Sequence, residues 1–257
     1  MKKLLIALTA SALFAFTASA QELDMVKIPG KNFKILRTEV TQELYVSVMG
    51  ENPSVFQIRS KVYENSFGKT YEVPDGEDVK KLPVEMVSWY DAIYFCNMLS
   101  NKKGLTPVYA VDGETDVAKW DYTPHRSSGL KGKVTQDVSA SGFRLPTVEE
   151  WQYAARGGQN YTNSGSNNLD EVGWYYDNSG ERTHPVAQKK ANGYGLYDMS
   201  GNVYELCWDS DYDDYKRCSC GGSWCDLDSY CRVGDRSSGY AYDQGRNQGF
   251  RIVCSAE

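Results

Sequence analysis

The residues in this chain best able to do chemistry are its seven cysteines and two histidines. Cys96 lies alone, and the other six cysteines crowd the last fifth of the chain: Cys207, Cys218, Cys220, Cys225, Cys231 and Cys254. In an exported protein such a cluster would ordinarily form disulfides, whose connectivity the sequence leaves open. Zinc is a weaker interpretation, because no C-x-x-C pair occurs and histidine is scarce. We therefore expect disulfides near the C-terminus and a buried thiol at Cys96, on the apolar face of a predicted helix.

The two histidines, His125 and His184, limit the catalytic and metal centres that the chain can build. They are too few for a three-histidine metal site. A serine–histidine–aspartate triad is compatible with the composition, but no motif supports one.

The N-terminal residues 1–20 have the layout of a secretory signal peptide. Lys2 and Lys3 form a basic start, residues 4–16 an apolar core, and Ala18-Ser19-Ala20 a cleavage site. Cleavage there would remove Lys2 and Lys3, so the net charge would change from −6 for the 257-residue chain to −8 for the mature chain. A signal that stays uncleaved would instead anchor the chain.

The acidic balance argues against a general nucleic-acid-binding protein, which would present a basic face. No later run approaches the length of a membrane span, so no transmembrane span is expected in the mature chain. We expect an exported protein at the cell surface, in the periplasm or secreted.

The elements that position these residues are few helices and many short strands and turns. The predicted helices begin at Thr41, Ser88 and Thr147 and end near Gly50, Gly104 and Gly157. The last two starts carry an acidic residue three positions later, which is typical of a capping box. With 19 tyrosines, 23 glycines and 6 tryptophans, the chain favours a loop-rich α+β fold in one domain, residues 21–257. Residues 186–203 and 221–254 show no helical period.

Eight phrases of sequence form a specific ordered set: T-E-V-T-Q (38–42), N-P-S (52–54), L-P-V-E-M-V-S-W (82–89), F-R-L-P-T-V-E-E-W (143–151), N-G-Y-G-L-Y-D-M (192–199), G-N-V-Y-E (201–205), G-G-S-W (221–224) and G-F-R (249–251). In this order they resemble the formylglycine-generating enzyme, or sulfatase-modifying factor, family. The resemblance runs from about residue 25 to residue 254. It implies a variant of the C-type lectin fold, a single α+β domain with short antiparallel strands and much irregular structure.

The family includes oxidases that convert a sulfatase cysteine to formylglycine with copper held by two cysteines. Aligned on G-G-S-W, the second active cysteine falls on Cys231 and the first on Asp226, while Cys225 stands one place earlier. Two-thiolate copper coordination needs both sulfurs aimed at one point, and a one-residue shift on an extended segment reverses a side chain. The resemblance therefore implies that the copper pair is not preserved. If the chain is an oxidase, Cys225 and Cys231 are the candidate catalytic pair. The family's iron-dependent relatives need a histidine-rich partner domain, which two histidines cannot replace.

The C-terminal segment is also similar to the variable region of proteins diversified by retroelements, in particular the treponemal variable proteins. Such regions keep fixed residues like G-G-S-W, C-R-V (231–233), Arg236 and G-F-R, and accept replacements made by randomising the adenines of Asn codons. An altered Asn codon cannot give Lys, Glu, Met or Trp, and none of these occurs in residues 225–248. Gln244 and Gln248 are exceptions, because such a codon cannot give Gln. An ordinary polar loop is the alternative, although such loops usually contain Lys or Glu.

Tyrosines, serines, glycine and asparagine dominate the residues between these fixed positions, as in an antibody paratope. The resemblance and this composition predict sixteen ligand-contacting residues: Cys225, Asp226, Leu227, Asp228, Ser229, Tyr230, Asp235, Ser237, Ser238, Gly239, Tyr240, Tyr242, Asp243, Gln244, Arg246 and Asn247. The alternative is that the tyrosines simply pack a loop-rich core.

One metal site follows from the resemblance. Asp198, Gly201, Val203 and Glu205 match the family's calcium ligands, and two carboxylates with two backbone carbonyls suit a hard cation. A structural calcium ion is therefore expected there, and copper only if the chain is an oxidase.

Together these features predict an exported, non-enzymatic protein that binds a protein or glycan on another cell or surface through residues 225–248. The alternative is a copper-dependent formylglycine-generating oxidase.

Overall fold

The computed structural model describes residues 22–57, 73–211 and 213–256. The predicted signal peptide lies outside the described residues. Within them the chain forms four α-helices and nine strands in a mixed α and β architecture. In the same parts of the chain, no helix combines the length and the apolar character that crossing a membrane requires.

The three predicted helices are confirmed as α1 (Gln42–Met49), α2 (Trp89–Lys102) and α3 (Val148–Arg156). Each begins where a side-chain oxygen accepts a hydrogen bond from a free backbone N–H of the first turn. Ser88 and Thr147 form complete capping boxes with Asp91 and Glu150. Gly50 and Gly157 end α1 and α3 in the left-handed region, which glycine enters without a Cβ clash.

Several short elements were not predicted from the sequence. They are α4 (Leu169–Val172) and three 3-10 helices, Val79–Lys81, Val117–Lys119 and Asp228–Cys231. Three or four residues are too few to display a hydrophobic period, although the side chains of Asp78, Asp116 and Asn168 cap three of these turns.

The strands are β1 (Met25–Lys27), β2 (Phe33–Leu36), β3 (Tyr109–Val111), β4 (Val134–Gln136), β5 (Tyr204–Asp211), β6 (Asp213–Cys220), β7 (Arg236–Tyr240), β8 (Gln248–Gly249) and β9 (Val253–Ser255). In the described residues they form sheets ordered β1-β2-β9, β3-β4 and β7-β6-β5-β8. The strands are mostly antiparallel, as expected, but β5 and β8 pair in parallel. β7 is an edge strand.

Aromatic side chains join α1 and α2 to the C-terminal segment. Tyr45 stacks on Phe95 with ring centroids 5.3 Å apart, and Phe250 packs edge-on against both rings. All three side chains are buried. The G-F-R motif (249–251) is therefore part of the core and directly follows the exposed segment.

The expectation of disulfides is wrong for this structure, because all seven cysteines are free thiols. Cys207, Cys218 and Cys220 are buried on β5 and β6. The sulfurs of Cys207 and Cys220 lie 4.0 Å apart, about twice the length of a disulfide bond. These thiols fill the core as small apolar side chains. Cys96 is buried, as predicted, and burial raises the pKa of its thiol.

A fully buried ion pair connects the sheets to α3. The Arg251 guanidinium donates to both carboxylate oxygens of Glu205, at 2.5 and 2.6 Å. Its remaining N–H groups donate to the backbone oxygens of Leu36, Arg37 and Tyr197. On the other side, Trp151 Nε1 of α3 donates to Glu205 at 2.6 Å. All five guanidinium N–H groups thus have an acceptor.

Replacing Arg251 with Met should lower the free energy of unfolding by about 3–5 kcal/mol, because it leaves the Glu205 carboxylate buried without its cation. Urea titration of the purified protein measures this loss. The matched control is Arg126→Met, since Arg126 is exposed and pairs with Glu51 across 3.6 Å. The control should unfold as the parent does. A loss for Arg251→Met no larger than for the control would contradict the structural role of this pair.

Candidate ligand-binding surface

The residues proposed to contact a ligand follow a sharp turn after β6. Gly221 and Gly222 have φ of 97° and 68°, a region that a side chain would strain. A Cβ on Gly222 would lie 2.7 Å from Cys231 Sγ. Trp224 follows, buried and packed edge-on against Phe56 at 5.5 Å. These fixed residues direct the next part of the chain to the surface.

We call residues 225–230 the first segment. Leu227, Asp228 and Tyr230 are exposed, while Cys225, Asp226 and Ser229 are half-buried. Asp226 turns partly inward, because its carboxylate accepts a hydrogen bond from the Ser223 hydroxyl.

We call residues 235–247 the second segment. It runs along β7 and then crosses the N-terminus of α2. Tyr240 and Tyr242 are exposed, and their rings stack at 5.2 Å with planes 5° apart. Between them, Ala241 is buried; its N–H donates to Tyr215 O at 2.8 Å and its oxygen accepts from Trp89 N at 3.0 Å. The two tyrosines are therefore held outward by a fixed backbone.

The two segments meet at Trp224. Its indole N–H donates to Arg246 O at 3.0 Å, and the Arg246 guanidinium lies 5.5 Å from its ring. A cavity of about 100 Å³ opens at this junction, and it is lined by Tyr176, Ser179, Glu181, Trp224, Cys225 and Arg246.

None of the sixteen predicted contact residues is buried. Nine are exposed: Leu227, Asp228, Tyr230, Asp235, Ser237, Ser238, Tyr240, Tyr242 and Asp243. Seven are half-buried: Cys225, Asp226, Ser229, Gly239, Gln244, Arg246 and Asn247. Most of the fixed residues that flank them are buried. Accessible and buried positions therefore alternate along the chain between Trp224 and Phe250.

Gln244 and Gln248, the two residues that a randomised Asn codon cannot give, both contact residues at the start of α2. Gln248 Nε2 donates to Val87 O and Asp243 O, each at 3.0 Å. Gln244 Nε2 lies 3.4 Å from the Asp91 carboxylate at the start of α2. We therefore assign Gln244, like Gln248, to anchoring the second segment rather than to contacting a ligand.

Arg236 was expected to be a structural residue, but its side chain is exposed and pairs with Asp211 at 3.6 Å.

Cys225 packs with Phe56, Leu82 and Trp224, whereas Cys231 packs with Leu169 and Val172. The two thiols pack in different hydrophobic clusters, yet they lie near enough for Cys225 to add to the effect of burial in raising the pKa of Cys231.

Tyr176 belongs to this surface and was not found from the sequence. It is exposed, and its N–H donates to Asp226 O at 3.0 Å, which places it beside the first segment. It lies fifty residues before Asp226 in a turn-rich region, where its only signal is the aromatic run Trp174-Tyr175-Tyr176.

The four residues proposed for calcium lie on the turn before β5 and at the start of β5, around a buried group of acids. Asp198 and Glu205 are both buried there. Asp198 Oδ2 accepts from Ala187 N at 2.7 Å, while its Oδ1 has no hydrogen-bond partner. Burial raises the pKa of Asp198 to about 6. Gly201 must be glycine, because a Cβ there would lie 2.2 Å from Trp174 O.

A third acid, Glu39, completes this group and was not assigned from the sequence. Its carboxylate accepts from Asn202 Nδ2 at 3.1 Å and from Val203 N at 3.4 Å. Burial raises the pKa of Glu39 well above its usual range, and the charges of Asp198 and Glu205 raise it further. Three carboxylates therefore face one arginine, Arg251. Among the described residues, no three His, Cys, Asp or Glu side chains form a ready metal cage.

Glu85 is a buried acid near the second segment. Its Oε1 accepts from Val55 N at 2.6 Å and Phe56 N at 2.9 Å, while its Oε2 has no partner. Burial raises the pKa of Glu85 to about 8, against the opposing effect of those two hydrogen bonds and of the Arg246 charge.

The chain is similar to a known domain family and to solved structures. The model of the sulfatase-modifying factor enzyme 1-like domain matches residues 8–256. The solved structure of Treponema denticola variable protein 1 superposes with a TM-score of 0.74 at 35% identity, covering 91% of this chain and 92% of that one.

Two curated relatives carry different names. The chaperone protein LppX of Paenibacillus barcinonensis is 37% identical over 94% of this chain and 86% of its own length. The formylglycine-generating enzyme of Mus musculus is 34% identical, but over only 46% of this chain and 40% of the enzyme.

Glu85 should make stability depend on pH. Because its folded pKa of about 8 exceeds that of the unfolded chain, its contribution to stability is complete at low pH and is lost as pH rises through about 8. Between about pH 5 and 8, the unfolding free energy of the parent should fall by an amount on the order of a few kcal/mol because of Glu85. Glu85→Gln mimics the protonated carboxyl, so this fall should be smaller in the variant.

Urea titrations across this pH range measure the effect. Glu149→Gln is the control, because the side chain of Glu149 is 86% exposed, and it should leave the slope of the parent. An unchanged slope in Glu85→Gln would show that this carboxyl is not protonated on folding.

Proposed function

Because the chain belongs to the sulfatase-modifying factor enzyme 1-like family, we propose that it is an exported, non-enzymatic member that binds a ligand through a diversified surface. This surface consists of the first and second segments. The ligand is a protein or glycan presented on another cell or surface.

The observation that carries this proposal is the separation of accessible from buried positions between Trp224 and Phe250. All sixteen predicted contact residues are accessible, while Trp224, Cys231, Val233, Ala241 and Phe250 are buried. Replacement of an accessible residue costs little stability, whereas truncation of a buried one is expensive. The segment can therefore change its contacts without changing its fold.

The composition of the surface suits binding. Tyr230, Tyr240 and Tyr242 offer large contact areas with few rotatable bonds, and the serines beside them adapt their hydrogen bonds. The backbone of the second segment is fixed by hydrogen bonds to α2, which lowers the entropy lost on association.

The comparisons support a binding role in two ways. The match to Treponema denticola variable protein 1 extends over nearly the whole of both chains. A relative named as a chaperone is 37% identical over 94% of this chain, and a chaperone must bind other proteins. The acidic net charge of −6 disfavours nucleic acid as the ligand.

The alternative is a copper-dependent formylglycine-generating oxidase. The similarity of the chain to such enzymes supports it. It would need the Cys225 and Cys231 sulfurs at one copper ion. The one-residue shift in the spacing of the pair opposes this role, and burial, which raises the pKa of both thiols, disfavours the thiolates that copper would bind.

A structural calcium ion is a further part of the proposal. Three buried carboxylates face one arginine, and Asp198 Oδ1 has no partner, so the residues present suit a cation. Asp198 and Glu205, with the backbone oxygens of Gly201 and Val203, would hold the ion. Its charge would offset the excess negative charge and fix the turn that leads into β5.

Calcium should raise the melting temperature of the purified protein, and a chelator should lower it, because the unfolded chain does not bring Asp198 and Glu205 together. Asp198→Ala should abolish the response, whereas Asp112→Ala, on an exposed turn, should retain it. A calcium response that survives in Asp198→Ala would place the ion elsewhere.

The oxidase alternative is tested with a Cys-x-Pro-x-Arg peptide, copper and mass spectrometry. We expect no conversion of the cysteine to an aldehyde. Cys225→Ser should fold normally because Cys225 is half-exposed, and Cys231→Ser should be destabilised because Cys231 is buried. Copper-dependent aldehyde formation that either substitution abolishes would overturn the binding proposal.

A further inference from the structure

The outer edge of β7 is open to solvent. β7 (Arg236–Tyr240) is the last strand in the sheet ordered β7-β6-β5-β8, so in the described part of the chain only one of its sides pairs with another strand. Four of its five residues are exposed, and the remaining one, Gly239, is half-buried. The outer side of β7 is therefore accessible to another molecule.

The register of β7 on β6 determines which backbone groups point outward. Ala241, directly after β7, donates its N–H to Tyr215 O at 2.8 Å. In an antiparallel pair, residues that exchange hydrogen bonds alternate with residues that do not. The bonds to β6 therefore continue from Ala241 to Gly239 and Ser237, which the register keeps paired with β6.

The residues between them direct their backbone groups away from β6. Tyr240 N donates to the Asp243 carboxylate at 2.9 Å, and Tyr240 O accepts from Asp243 N at 2.9 Å, so both of its groups are occupied by the following turn. Arg236 and Ser238 have the same outward orientation, but in the described residues their N–H and C=O groups have no hydrogen-bond partner. Two donors and two acceptors are thus left on the edge, at residues two positions apart.

This edge lacks the features that usually prevent strand addition. Native proteins protect edge strands with proline, lysine, a bulge or a covering element. The sequence of β7, R-S-S-G-Y, contains neither proline nor lysine, and its register with β6 is continuous. Its one charged residue, Arg236, is at the first position and pairs with Asp211.

We propose that the outer edge of β7 pairs with an extended segment of a partner protein, which adds a fifth strand to this sheet. The inference rests on the proposed binding function and selects a protein over a glycan as the ligand. Donors and acceptors at alternate residues match the main chain of an extended peptide. The small side chains of Ser237, Ser238 and Gly239 leave room for large side chains on the added strand.

Strand addition suits a segment whose side chains vary. A backbone group does not depend on the side chain beside it, so most replacements within β7 would keep the edge. The side chains of Ser237, Ser238 and Tyr240, which are among the predicted contact residues, would select the sequence that pairs there. A second copy of this chain is a less favourable partner, because the net charge of −6 makes two copies repel each other.

Amide hydrogen exchange of the purified protein, followed by NMR, tests this geometry. The probe is a capped seven-residue peptide of alternating threonine and valine, two residues that favour strands. In the free protein, the amides of Arg236 and Ser238 should exchange quickly, and those of Ser237 and Gly239 slowly. The peptide should slow the exchange of Arg236 and Ser238 at least about tenfold, because it supplies their missing acceptors.

Substitution at one position separates the backbone from the side chain. Ser238→Pro removes an outward N–H and leaves the bonds to β6, as edge strands tolerate. It should weaken peptide binding at least about tenfold, because a carbonyl of the peptide loses its donor. Ser238→Ala is the matched control, since it keeps the N–H and should bind as the parent does. Urea titration shows whether each variant is folded, and the exchange pattern of the parent decides the question if Ser238→Pro is not.

Equal weakening in Ser238→Ala and Ser238→Pro would overturn this inference, and so would a parent that does not bind the peptide or whose four amides exchange alike. Dimerisation of the parent that Ser238→Pro abolishes, seen by sedimentation, would assign the edge to a second copy and also overturn it. These outcomes leave the wider binding proposal standing, because that proposal fails on copper-dependent aldehyde formation instead.

Discussion

The buried pair of Arg251 and Glu205 is the interaction on which the rest of the structure depends. It joins the C-terminal segment to β5, while the other guanidinium N–H groups reach the end of β2 and the loop at Tyr197. Trp151 connects the same carboxylate to α3. A buried ion pair is costly unless its donors and acceptors find further partners, as those of Arg251 do. This requirement fixes where the chain returns before β9, while the Gly221-Gly222 turn sets where it emerges after β6. The two together define the ends of the proposed binding surface.

Between these fixed ends, the chain is held by its backbone and not by its exposed side chains. Ala241 and Gly245 bond to the backbone at Trp89 and Met86, and Trp224 bonds to the backbone oxygen of Arg246. Because a backbone hydrogen bond does not depend on the side chain, most positions of the two segments can change while the path of the chain is kept. Asp226, Asp243 and Gln244 are exceptions within the segments, since their side chains also make hydrogen bonds. Gln248, just after the second segment, anchors it through its side chain as well. The two glutamines are also residues that a randomised Asn codon cannot give.

Features encoded locally could be predicted from the sequence, and features made by distant residues could not. The capping boxes at Ser88 and Thr147 lie within four residues, and both helices begin there. The resemblance located the fold and the accessible segments. It did not reveal Tyr176, whose place depends on a backbone bond to Asp226, or Glu39, which meets Asn202 across 163 positions of sequence. The free cysteines were also missed, because their count and clustering say nothing of whether two sulfurs come within bonding distance.

The central claim is that an accessible, replaceable surface lies on an irreplaceable framework, and a saturation substitution scan of residues 221–251 tests it most directly. Each variant is displayed on yeast and scored for folding by its resistance to protease, with no ligand required. The account predicts tolerance at exposed positions such as Ser237 and Tyr242, and intolerance at Trp224, Phe250 and Arg251. It also predicts low tolerance at Gln248. Uniform tolerance across the segment, or intolerance concentrated at the exposed positions, would contradict it.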